Sequence, residues 1–115
     1  GLGDVYKRQP AGCIWLIDAW FGFQPRETLQ RQLQQAGVEK VLEIWNRISP
    51  ELAVSRYASR LQDRRPGHPG EEYLPELAQL AQRAEPMRLG PVFTVDQQKP
   101  LEMAPVIRWL EVQMQ

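Results

Sequence analysis

The chain has 115 residues, 43% of them hydrophobic, which suits one modest core and is too little for two. Fourteen Lys and Arg balance fourteen Asp and Glu, so at zero formal net charge bulk electrostatics give no reason to expect nucleic acid or an anionic membrane as partner. Cys13 is the only cysteine, which excludes an internal disulfide and a cysteine-cluster metal site and fits a reducing cytoplasm, and no apolar run approaches the roughly 18 residues of a membrane span.

In chain order, "GLGDVYKRQ" (residues 1–9) resembles a translated sequencing-adaptor scar of the kind that recurs at the ends of environmental reading frames. It is set aside from the fold, which leaves residues 10–115 as the domain. The natural protein is expected to begin upstream of this chain. "CIWLI", residues 13–17, is short, continuous and apolar, the pattern of a strand covered on both faces of a parallel sheet, with Cys13 a buried hydrophobe rather than a nucleophile. After Asp18 and the aromatic loop "AWFGF", Pro25 suits a first helical turn and Gly37 a C-terminal cap, with Leu29, Leu33 and Ala36 on the inner face.

"KVLEIW", residues 40–45, reads as a second strand. Ser49 then offers an N-cap and Pro50 a first helical residue for the next helix, whose apolar stripe is Val54, Ala58 and Leu61. Off that stripe, "SRYASRLQDRR" spaces Arg56, Arg60 and Arg64 four residues apart, where like charges repel and ask for an anion. "RPGHPG", residues 65–70, ends the helix in a turn or mobile loop and carries the sole histidine, His68, which has no catalytic or metal partner in the sequence. A helix follows over 73–85, with Leu74, Leu77, Ala78 and Ala81 inward, then a third strand, "PVFTV" (91–95). A last helix over 105–114 turns Ile107, Leu110 and Met114 inward. Strands separated by helices imply an α/β fold with a partial parallel sheet of about three strands and flanking helices.

Three of these segments, in this order and at these separations, carry a family likeness. "LIDAWFGFQPRE", "RYASR" and "VDQQKPLEMAPVI" together resemble the adenylate-kinase-like small-molecule kinases of the phosphate-binding-loop NTPase fold. They match that family's third strand with its terminal Asp, the paired arginines at the entry to a mobile lid (about 55–72 here), and the end of the last strand with the base-contacting loop. The glycine-rich G-x-x-x-x-G-K-[ST] loop is absent, so the likeness is to the C-terminal half of such a kinase.

The resemblance implies ATP and Mg²⁺ as cofactors and a small-molecule phosphate acceptor as partner, bound by the parent protein; this chain alone is expected to be inactive. Phosphoryl transfer asks mainly for positioning and charge cancellation, a task for guanidinium groups. Arg56 would lie over the adenine or near the phosphates, Arg60 would reach the phosphates on lid closure, and Arg64 and Arg65 are further clamps. Gln98, Lys99 and Pro100 would contact the base largely through backbone, Asp96 would shape that turn, and Asp18 would order magnesium through water. Trp20, Phe21 and Phe23 would line the acceptor pocket or belong to the core. In the family, the first strand lies between the third and fourth. Without it, the strands at 13–17 and 40–45 should face each other across a gap, pair differently, or expose apolar edges. A second reading stays open from the sequence: a non-catalytic α/β interaction or regulatory module whose arginines meet an acidic partner.

Overall fold

The computed structural model describes residues 12–19, 25–63 and 70–115. Among these residues four α-helices and two strands form, in the order α1 (Arg26–Gln35), β1 (Glu43–Arg47), α2 (Pro50–Ser59), α3 (Leu74–Arg83), β2 (Val92–Asp96) and α4 (Met103–Gln113). Short 3-10 turns at Leu61–Asp63 and Glu71–Tyr73 border the segment between α2 and α3. The two strands pair in parallel, Glu43 opposite Val92 and Arg47 opposite Asp96, so both carboxyl ends stop at the same level.

The helix boundaries follow local chemistry. Ser49 Oγ accepts from the Leu52 N–H at 3.1 Å and Pro50 occupies the first turn, where its missing N–H costs nothing. Gly37 follows α1 with φ +79°, a conformation that glycine adopts without steric cost. Leu29 is buried beneath α1, while Leu33 and Ala36 are half-buried. In α2, Tyr57 takes the buried position, flanked by half-buried Val54 and Leu61, while Ala58 is exposed. Its ring stacks obliquely on Tyr73, 5.5 Å between centroids, joining α2 to the turn before α3.

Several expectations are corrected. The strand expected at 13–17 does not form: residues 13–19 have no regular structure, Ile14 is 78% and Leu16 90% exposed, and Cys13 is exposed rather than buried. A strand exists only with a ladder partner, and among the described residues the sheet is two-stranded, β1 with β2, rather than three-stranded. The last helix starts at Met103, and Phe93 of β2 meets Trp109 at 5.5 Å, which sets the rotation of α4. Val106 is therefore the buried residue at 7% exposure, while Ile107 at 47% and Met114 at 48% face outward.

A polar strap holds the amino end of the sheet. Glu43 Oε2 and Oε1 accept the backbone N–H groups of Met87 and Arg88 at 2.9 and 3.0 Å, and Arg26 Nη2 donates to the Arg88 carbonyl at 2.8 Å. A carboxylate is well suited to two adjacent N–H donors. Lys40 Nζ donates to the carbonyl of Gln113, tying the segment before β1 to the end of α4.

Candidate functional site

Ligands of open parallel sheets bind beyond the carboxyl ends of the strands. Here that end carries a hydrogen-bonded polar cluster. Beyond Asp96 the chain turns sharply: the Gln98 N–H donates to Asp96 Oδ1 at 3.0 Å, and the Lys99 N–H to the Asp96 carbonyl at 3.2 Å. An aspartate that accepts from the residue two positions on builds this kind of turn by itself. The Gln97 N–H donates to the Arg47 carbonyl at 2.9 Å and so prolongs the ladder by one rung.

Arg56 reaches this turn from the last part of α2. Its Nη1 donates to Gln97 Oε1 at 3.1 Å and its Nη2 to the Gln97 carbonyl at 3.0 Å. Gln97 Nε2 in turn donates to Asn46 Oδ1 at 3.0 Å. Gln98 Nε2 makes a longer contact, 3.4 Å, with Ser49 Oγ, the oxygen that caps α2. The arginine helix, the strand ends and the loop after β2 are thus joined through neutral amides and one guanidinium.

Of the sequence-derived candidates, the structure brings Arg56, Asp96 and Gln98 together. Arg60 lies one turn on, exposed, with its Nε donating to the Arg56 carbonyl at 3.1 Å. Asp63 meets Arg60 through backbone, its N–H donating to the Arg60 carbonyl at 3.1 Å. Lys99 and Pro100 are exposed on the same turn. Asp18 is exposed at the rim of a cleft of about 710 Å³, which it lines together with Asn46, Ser49, Asp96, Gln98 and the apolar side of α3 at Leu77 and Leu80. Arg64, Arg65, His68, Trp20, Phe21, Phe23 and residues 1–9 lie outside the described residues.

Asn46 and Gln97 were not singled out from the sequence. Gln97 stands inside the family-like "VDQQKP", and Asn46 is a polar residue at the exit of an apolar strand, but neither bears a charge that draws attention. Among the described residues no three His, Cys, Asp or Glu side chains cluster as a metal site. Asp18 and Asp96 on one cleft offer hard oxygens of the sort that suit magnesium when it keeps most of its water. No helix among the described residues is long and apolar enough to cross a membrane. Comparison with the models of known protein families, with curated proteins and with solved structures finds no match.

Proposed function

We propose that the chain is the lid-entry and base-binding half of an ATP-dependent kinase that phosphorylates a small metabolite or nucleotide-like acceptor. The observation that carries this reading is the seating of Arg56 on Gln97 at the level carboxyl ends of two parallel strands. A permanent cation is thereby aimed at the place where such sheets bind ligands. An arginine row is usually a solvated surface, and Arg56 is exposed; what sets it apart is a two-point hydrogen bond into a loop 41 residues on in the sequence.

The state of the sheet supports the same reading. The Glu43 N–H and the Arg47 carbonyl both bond toward β2, so alternation along the strand turns the backbone groups of Ile44 and Asn46 to the opposite edge. No described strand pairs there, and residues 13–16 of the apolar segment stand exposed instead. Lack of a strand between 13–17 and β1 would have this effect.

ATP would supply the phosphoryl group, with Mg²⁺ offsetting charge on its phosphates. The residues of this chain would do the positioning. Arg56 would offer its remaining N–H groups and its flat face to the nucleotide, and Arg60 would swing in with the lid, its repulsion from Arg56 relieved when the anion arrives. Asp18 and Asp96 would hold water around the metal. The test uses the intact kinase recovered from its full reading frame, where a glycine-rich loop ending in Lys-Ser or Lys-Thr is expected upstream of Pro10. There Arg60→Ala should lower kcat by roughly two orders of magnitude with Tm unchanged. Equal turnover in the variant, or a start codon close to Pro10 with no such loop, refutes the reading.

A further inference from the structure

Gln97 is the residue at which three elements meet. Its N–H prolongs the β1–β2 ladder, its Nε2 is held by Asn46 of β1, and its Oε1 and carbonyl accept from two different nitrogens of Arg56 on α2. The amide has one orientation that serves both neighbours. Turned over, it would present NH₂ to the arginine donors and oxygen to Asn46 Oδ1, losing both contacts. Asn46 therefore fixes Gln97, and Gln97 fixes the arginine.

An exposed arginine with a long flexible stem samples many rotamers, and two hydrogen bonds to a single residue set both the place and the plane of its guanidinium. The bonds to Gln97 use one N–H on each Nη. Nε–H, one further N–H on each Nη and the faces of the plane remain for a ligand. We propose that Gln97, backed by Asn46, is a positioning residue that holds the Arg56 guanidinium ready at the strand ends before any anionic nucleotide arrives. The positioning rests on the geometry alone, and the identity of the ligand rests on the kinase reading.

The experiment uses the full chain, labelled with ¹⁵N, with the Arg56 side-chain signals assigned by their loss in Arg56→Lys. Wild type should show slowed guanidinium rotation, with resolved Nη–H signals at low temperature. Gln97→Met should average them, Gln97→Glu should keep them because its carboxylate accepts both from Arg56 and from Asn46 Nδ2 once that amide turns over, and Asn46→Ala should broaden them. In the same samples, titration with ATP should give about threefold to tenfold weaker binding to Gln97→Met than to wild type, the loss expected when one flexible side chain must be ordered on binding. Identical Arg56 signals in wild type and Gln97→Met overturn the proposal. If Gln97→Met does not fold, averaged signals in Gln97→Glu overturn it equally. Equal ATP affinity in wild type and Gln97→Met also overturns it, while leaving the kinase reading standing. Ordered Arg56 in wild type, lost in Gln97→Met, with no ATP response in either, sustains the positioning role and removes ATP as the ligand that this chain binds on its own.

Discussion

Gly90 gives a test of the sheet on which the site depends. A Cβ built there would lie 2.0 Å from the Val41 carbonyl oxygen and 3.0 Å from its carbon, both backbone atoms that no rotamer can move aside. Gly90 precedes Pro91, whose carbonyl accepts the Glu43 N–H at 3.0 Å in the first rung of the ladder. Gly90→Ala must therefore push two chains apart where they are pinned. Overpacking of this kind costs about 1–3 kcal/mol, and weakening the first rung adds about 0.5–1.5 kcal/mol, so a loss of about 2–4 kcal/mol is expected. For a domain of this size each kcal/mol moves Tm by about 4–8 °C, so the melting point should fall by more than about 10 °C. Gly37 is the control. Its φ is +79°, but nothing lies within 4 Å of a Cβ there, so Gly37→Ala should cost about 1 kcal/mol from backbone strain. Thermal and urea unfolding of both variants decide the matter. A Gly90→Ala variant milder than Gly37→Ala would refute the close approach of Val41 to the entry of β2.

Ser49→Ala should destabilise by about 1 kcal/mol through loss of the N-cap, and Ser49→Gly by only a few tenths, measured by urea unfolding. Glu43→Ala strands the N–H groups of Met87 and Arg88 and should cost about 2–3 kcal/mol; Glu43→Gln, which keeps one oxygen acceptor, should cost about half of that. The Glu72 carboxyl is held below its ordinary value of 4.5 by its own backbone N–H and then by that of Gly70, which donates at 2.9 Å. Because the folded value is the lower one, this contact is complete above pH 4.5 and is lost as pH falls below it, so the Gly70 and Glu72 amide signals should titrate together below 4.5. A joint midpoint at or above 4.5 refutes it. Leu16→Ala should change stability by less than about 0.5 kcal/mol, whereas a leucine in a covered strand would cost about 2–5 kcal/mol.

Local signals in the sequence were reliable where the physics is local. Ser49 and Pro50 mark the start of α2, Gly37 the end of α1, and both strands of the sheet lie within three residues of their expected places, 43–47 against 40–45 and 92–96 against 91–95. Failure came where a residue's state depends on a distant partner. "CIWLI" has the composition of a covered strand, but composition cannot supply the neighbouring edge. The rotation of α4 is set by Trp109 against Phe93, so Val106 went inward where periodicity favoured Ile107. In the site, Arg56 was legible through its spacing to Arg60. Asn46 and Gln97 were not, because uncharged amides announce themselves only through the partners that the fold brings to them.

The two functional readings of the arginine row differ in what they leave uncovered. A self-contained module that docks an acidic partner needs a finished core and a free cationic face. The core is not finished in this sense: large apolar side chains at Ile14, Leu16, Ile107 and Met114 stand in solvent, and only Leu29, Tyr57 and Val106 are buried hydrophobic residues among those described. Parallel sheets are ordinarily covered on both faces, and a pair of strands is the least stable sheet there is. β1 mixes polar and apolar residues, and among the described residues its outer edge is unpaired over Ile44 and Asn46. The same Asn46 that leaves its backbone groups unpaired on that edge anchors Gln97 through its side chain. A strand added there would steady Asn46, and with it the guanidinium of Arg56. Completion of the sheet and preparation of the site would then be one event.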